Sequence, residues 1–183
     1  LVCQERGLSS CAVELNPLLY FVAKVKTTPL RNLTDLAVAA KEVMAQAQSH
    51  FSTLKSLDTD TFLIEYHDWI PKIQNVTKWW SPLILKKLVA IRMTLAAASM
   101  PVDTANLLKL AVASILIEVS NARYDHPSLS FAKVPKNDAP VFERFREQVE
   151  MMTTDLQNFT QARPKTLILP GNSKQLEQVL PAN

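Results

Sequence analysis

Apolar side chains recur along the middle of the chain in steps of three and four. Leu33, Leu36, Ala37, Ala40, Met44, Ala47, Phe51 and Leu54 follow the i, i+3, i+4 rule, the mark of one buried helical face. Asn32 or Thr34 is placed to cap that helix. Another helix is expected to open at Pro82 behind the capping residue Ser81, to run towards Ser99 and to stop before Pro101. A strongly apolar helix follows, starting at Asp103 or Thr104 and reaching Arg123. Phe142, Phe145, Val149, Met152, Leu156 and Phe159 predict an amphipathic helix that ends before Pro164. Residues 58–68 have room for a short helix. Residues 124–136 hold Pro127 and Pro135 and read as a loop.

The two ends break this pattern. Residues 1–7 read as the last turn of a helix with Gly7 as its stop. Residues 10–14 pass from small and apolar side chains to Glu14, and Asn16-Pro17 ends the run, which predicts a short buried strand. Residues 18–26 return to helical spacing. Residues 165–169 read as a strand, 170–173 as a turn, and 174–180 as one or two helical turns. The expected fold is therefore mostly α with a partial α/β element. Residues 1–29 and 164–183 supply the α/β part, and residues 30–163 form a large helical insertion between its two strands.

Composition sharpens this picture. Only 2 of 183 residues are glycine, where average usage would give about 13. A complete G-x-G-x-x-G or P-loop is excluded, because both need Gly where backbone approaches a phosphate. A sheet-rich fold with many tight turns is disfavoured for the same reason. Charge is unevenly spread. Residues 1–68 carry net −2, residues 69–136 carry net +6 and residues 137–183 carry net −1. A basic middle suits a polyanion, or is a solvated face that uses lysine. Cys3 and Cys11 form no disulfide framework, and no Cys/His spacing fits a zinc site. A reduced, cytoplasmic setting is the default. No signal-peptide pattern opens the chain. The apolar run 110–117, flanked by Lys109 and Glu118, is too short to span a bilayer.

Residues 69–102 contain no acidic side chain but hold Lys72, Lys78, Lys86, Lys87, Arg92 and all three tryptophans, Trp69, Trp79 and Trp80. Lys78, Lys86 and Lys87 are candidate phosphate contacts. The tryptophans suit either stacking on an unpaired base or core packing. In the polar loop 120–128, Asn121 and Arg123 are candidates for base edges or phosphates. Arg123 suits pairing with Asp125 or capping the preceding helix equally well. His126 has no Cys or second His nearby, so no metal is expected there.

Some of these residues also carry a family resemblance. The opening "LVCQERGLSSCAVELNP", continued by "LLYFVAKVKT", resembles the second strand and following helix of bacterial DNA amino-methyltransferases that use S-adenosylmethionine. "TLILPGNSKQLEQVLP" at 166–181 is similar to the strand and turn that precede their catalytic segment. "WWSPLILKKLVAIR" and "SNARYDHPSLSFAK" look like the helical insertion of one subgroup.

The resemblance implies a Rossmann-like methyltransferase sheet, S-adenosylmethionine as cofactor and double-stranded DNA as partner. It admits a restriction endonuclease as a second partner. It also implies that the Gly-rich "DPF-x-G-x-G-T" loop lies before Leu1 and the "SPPY" or "NPPY" segment after Asn183. The chain, which starts at Leu1 rather than Met, is then an internal fragment without catalytic residues and inactive by itself. Glu14 takes the position that holds the cofactor ribose, beside Asn16. Asn172 stands near the adenine amino group, where similar enzymes often have Asp. Each has a plain alternative: an exposed acid near a helix N-terminus for Glu14, and an ordinary turn residue for Asn172. Two other functions fit the same residues, an RNA methyltransferase fragment and a helical nucleic-acid-binding module without chemistry. The last predicts that residues 12–14 and 167–169 do not pair.

Overall fold

The structure, a computed structural model, describes residues 1–30, 32–123, 129–158 and 164–179. In chain order it runs α1 (Val2–Glu5), β1 (Ser10–Glu14), α2 (Pro17–Thr27), α3 (Leu33–Ser56), α4 (Thr59–Glu65) and a 3-10 turn at His67–Trp69. It continues with α5 (Val76–Trp79), α6 (Pro82–Ala97), α7 (Val102–Ile115), β2 (Ala122–Arg123), β3 (Ser130–Phe131) and α8 (Val141–Asn158). β4 (Thr166–Pro170), a 3-10 turn at Ser173–Gln175 and α9 (Leu176–Val179) close it. Among the described residues helix makes up 64% and strand 8%, so the mostly-α expectation holds. The chain divides into two compact units: Leu1–Leu33 with Asp155–Asn183, and Thr34–Thr154.

In the first unit β1 and β4 pair in parallel, with Ser10 opposite Thr166 and Glu14 opposite Pro170. The Ser10 and Thr166 hydroxyls share a hydrogen bond of 3.2 Å at the start of the pair. A parallel pair needs a crossover connection, and residues 15–165 supply it. A module with unpaired ends is therefore not what these residues form. Pro17 presets the first turn of α2, and the Asn16 side chain caps it. Gly7 ends α1 at φ +72°, a backbone state that costs an L-residue. At Gly171 a Cβ would stand 2.7 Å from Val179 Cγ2, so β4 and α9 approach closely only because that side chain is missing. Gln4 is 1% exposed and donates from Nε2 to the Thr27 carbonyl at 3.0 Å, which joins α1 to the end of α2.

The second unit is built around α6. Residues 84–91 are all buried, so this helix is surrounded rather than amphipathic. Leu36, Ala39, Val43, Ala47 and Leu54 of α3, Leu107, Leu108, Ala111 and Ile115 of α7, and Val141, Phe142, Phe145 and Val149 of α8 supply further core. Phe51 and Phe142 meet edge to face with centroids 5.6 Å apart. Of the face expected for α3, Leu36, Ala47 and Leu54 are buried and Leu33, Ala40, Met44 and Phe51 half-buried, with one exception. Ala37 is exposed, and Ala39 and Val43 are inside.

Three local expectations are corrected. α7 ends at Ile115, not Arg123. Beyond it the Ser120 hydroxyl donates to the Ile117 carbonyl at 2.7 Å and accepts from the Ala122 N–H at 3.1 Å, and the backbone leaves the helix. The stretch read as loop carries a short antiparallel pairing, Ala122 with Phe131 and Arg123 with Ser130. Ser81 precedes α6 but does not cap it with its side chain, because its hydroxyl donates to the Lys136 carbonyl. The sites Asp125 and His126, and the helix-face residue Phe159, lie outside the described residues.

Candidate cofactor and nucleic-acid sites

Glu14, at the carboxyl end of β1, is half-buried. Its Oε1 accepts from the Asn16 N–H at 2.8 Å, and this is its side chain's one polar partner among the described residues. Oε2 therefore retains its acceptor capacity. Asn16 is committed to the helix. Its Oδ1 accepts from the N–H groups of Leu18 at 2.9 Å and Leu19 at 3.2 Å. Asn16 thus fixes the turn that aims Glu14, and its remaining polar capacity is the Nδ2 group.

Asn172 lies two residues past the end of β4. The Gly171 N–H donates to the Glu14 carbonyl oxygen at 3.1 Å, which ties the two strand ends together. Asn172 Oδ1 accepts from the Lys174 N–H at 3.0 Å, the bond of an ordinary turn asparagine, and one acceptor lone pair remains. The pairing thus brings together the two cofactor candidates that the sequence separates most widely. It also places both at the carboxyl ends of parallel strands, where doubly wound sheets hold ligands.

The nucleic-acid candidates fare differently. Lys86 and Lys87 were expected to face phosphates, and both are inside, 5% and 9% exposed. Lys86 Nζ donates to the Leu57 carbonyl at 2.5 Å and lies 5.5 Å from the Phe62 ring centroid. Lys87 Nζ contacts Asp138 Oδ1 at 2.5 Å and the Ala139 carbonyl at 3.0 Å. Their charges are satisfied within the unit and are not presented to a polyanion. Asn121, a candidate for base edges or phosphates, is 2% exposed. Its Oδ1 accepts from the Lys136 N–H at 2.8 Å, and its Nδ2 donates to Ser81 Oγ at 3.3 Å and the Lys78 carbonyl at 3.4 Å. It holds three segments together instead.

Lys78 is exposed on α5, with Nζ 4.7 Å from the Phe131 ring centroid. Arg123 is exposed on β2. The tryptophans serve mainly as packing. Trp80 is 8% exposed and donates from Nε1 to the Leu116 carbonyl at 3.0 Å. Trp79 meets Phe131 edge to face at 5.1 Å. Half-buried Trp69 has the Arg92 guanidinium 5.8 Å from its ring, and its carbonyl accepts from Arg92 Nη1 at 2.7 Å.

Among the described residues no group of three His, Cys, Asp or Glu is placed to hold a metal ion. None of the helices there is long and apolar enough to cross a membrane. A cavity between α6 and α7, lined in part by Arg92 and Lys109, was missed by sequence reasoning. Its only trace is that Leu85, Leu88, Val89, Arg92 and Ala96 share one helical face. No family model, curated protein or solved structure matches the chain.

Proposed function

We propose that the chain is part of an S-adenosylmethionine-dependent DNA methyltransferase acting on an exocyclic amino group of adenine or cytosine. The observation that carries this reading is the parallel β1–β4 pair with Glu14 at one strand end and Asn172 just past the other. A carboxylate with one oxygen anchored by a backbone N–H and the other unengaged suits the two hydroxyls of a ribose, since an ionised carboxylate only accepts. In this reading Glu14 holds the ribose, the Asn16 cap keeps its carboxylate in place, and Asn172 accepts from the adenine amino group. The Rossmann-like character of the sheet belongs to the same proposal. The cofactor, when bound, supplies the transferable methyl group. The helical unit offers Lys78 and Arg123 to the DNA backbone, and the target base is flipped out of the duplex.

The test is transfer of labelled methyl from S-adenosylmethionine to duplex DNA, by the 183-residue chain alone and by the intact protein that contains it. The intact protein should methylate DNA. Glu14→Gln should raise its KM for the cofactor about tenfold, as for loss of a charge-assisted hydrogen bond. The chain alone should not turn over. Turnover by the chain alone would contradict the fragment reading. Transfer to RNA but not DNA by the intact protein would move the assignment to RNA.

A further inference from the structure

Within the helical unit, α6 and α7, with Trp69, Pro71 and Trp80, line a half-open cavity of about 440 Å³, inside the range of about 300–1,000 Å³ usual for small-molecule sites. Its floor is hydrocarbon. Leu88, Val89 and Leu95 of α6, Val112 of α7 and Leu116 just past its end line it. Its two ionisable lining residues are both cations, Arg92 and Lys109, and no carboxylate lines it. Lys109 is exposed and has no polar partner among the described residues. Arg92 commits Nη1 to the Trp69 carbonyl at 2.7 Å, which leaves the other faces of its guanidinium as donors.

The chemistry of the lining selects among ligands. Trp, Arg and Lys side chains donate and do not accept, and the remaining lining residues are Pro, Leu, Val and Ala. A nucleobase carries amino or ring N–H donors that would find no side-chain acceptor here, and burying an unpaired donor is costly. A group that only accepts, attached to a hydrocarbon body, meets both halves of the lining.

We propose that this cavity binds a small amphipathic anion, a carboxylate on a hydrocarbon body. The hydrocarbon lies against Leu88, Leu95 and Val112, and the carboxylate is held by Lys109 and Arg92. This inference is independent of the methyl-transfer reading and stands or falls without it.

Decanoate, below its micellar concentration, and decan-1-ol are the probes, titrated into the 183-residue chain. Trp69 and Trp80 line the cavity, so tryptophan fluorescence reports binding directly, and calorimetry gives the stoichiometry. Decanoate should bind one to one and at least about tenfold more tightly than decan-1-ol. Lys109→Gln, an exposed substitution that should not disturb folding, should weaken decanoate about tenfold and leave decan-1-ol unchanged. Val112→Trp, checked for an unchanged circular dichroism spectrum, should block both ligands. Equal affinity for acid and alcohol, indifference to Lys109→Gln, or multiple equivalent sites would overturn the proposal. So would no binding up to about 1 mM. Displacement of decanoate by an oligothymidylate that itself loses affinity in Lys109→Gln would overturn it in favour of a nucleic-acid pocket.

Discussion

Replacing Asn121 with alanine separates a structural residue from a reader of DNA bases. The side chain is 2% exposed and makes one strong hydrogen bond, from the Lys136 N–H at 2.8 Å. Its two others, at 3.3 and 3.4 Å, are near the limit of the interaction. Alanine removes the acceptor and leaves the Lys136 N–H without its partner, which costs about 1–3 kcal/mol. The two long bonds add a few tenths each at most, so about 2 kcal/mol is expected in all. With a urea m-value of about 2 kcal/mol/M the unfolding midpoint should fall by about 1 M. All three tryptophans lie in the unit Thr34–Thr154, so their fluorescence follows the unfolding of the unit that holds Asn121. The result that would refute this reasoning is a midpoint within about 0.2 M of wild type. That outcome, joined to a defect in DNA binding, would return Asn121 to the role of base reader.

Two further outcomes follow from the structure. Gly171→Ala should destabilise the first unit by more than about 1 kcal/mol, because the new methyl would stand 2.7 Å from Val179 Cγ2. Thermal unfolding followed by circular dichroism checks this, and Val179→Ala in the same chain should recover part of the loss by opening the space. At the start of α4, Asp58 accepts from the Thr61 hydroxyl at 2.6 Å and the Thr61 N–H at 2.9 Å. These bonds, the hydroxyl first, hold its carboxyl below the ordinary aspartate value. A depressed folded-state value stabilises above the ordinary range and is lost as pH falls through the folded value. Melting temperatures of wild type and Asp58→Ala should therefore differ at neutral pH and converge in strong acid. A gap that persists at the lowest pH would contradict this origin.

What was legible in the sequence follows a physical division. Helices and strands with local signals were readable: Asn16-Pro17 for the start of α2, Gly7 for the end of α1, and the β1 and β4 stretches within one residue of their observed spans. Hydrophobic periodicity and capping act over a few residues, so the pattern and its cause lie together. The C-terminal end of α7 and the facing of Ala37 on α3 differ from the sequence reading because distant residues decide them. The chain beyond α7 leaves the helix to reach the place where Asn121 finds partners in residues 78–81 and 136. Ala37 is exposed because the surroundings of α3, not its own apolar content, choose which side turns inward. Missing from the sequence for the same reason was the α6–α7 cavity, whose lining spans residues 69 to 116.

The basic middle shows the same limit for function. Charge read along a chain has a sign but no depth. Lys86 and Lys87 contributed to a segment of net +6, yet residues 84–91 of α6 are all buried and their ammonium groups are taken up by partners 29 and 51 residues away. Lysine can do this because its long stem packs as hydrocarbon while its head reaches an acceptor. Removing Asp138 would leave the buried Lys87 ammonium without its counter-charge, so the effect would appear in stability and not in DNA affinity. Within residues 69–136 the exposed cations are Lys72, Lys78, Arg92, Lys109, Arg123, Lys133 and Lys136. These sit in several elements and loops, not on one helix. Recognition of an extended phosphate backbone would then depend on how the fold gathers them, and Arg92 and Lys109 are also the residues that line the cavity.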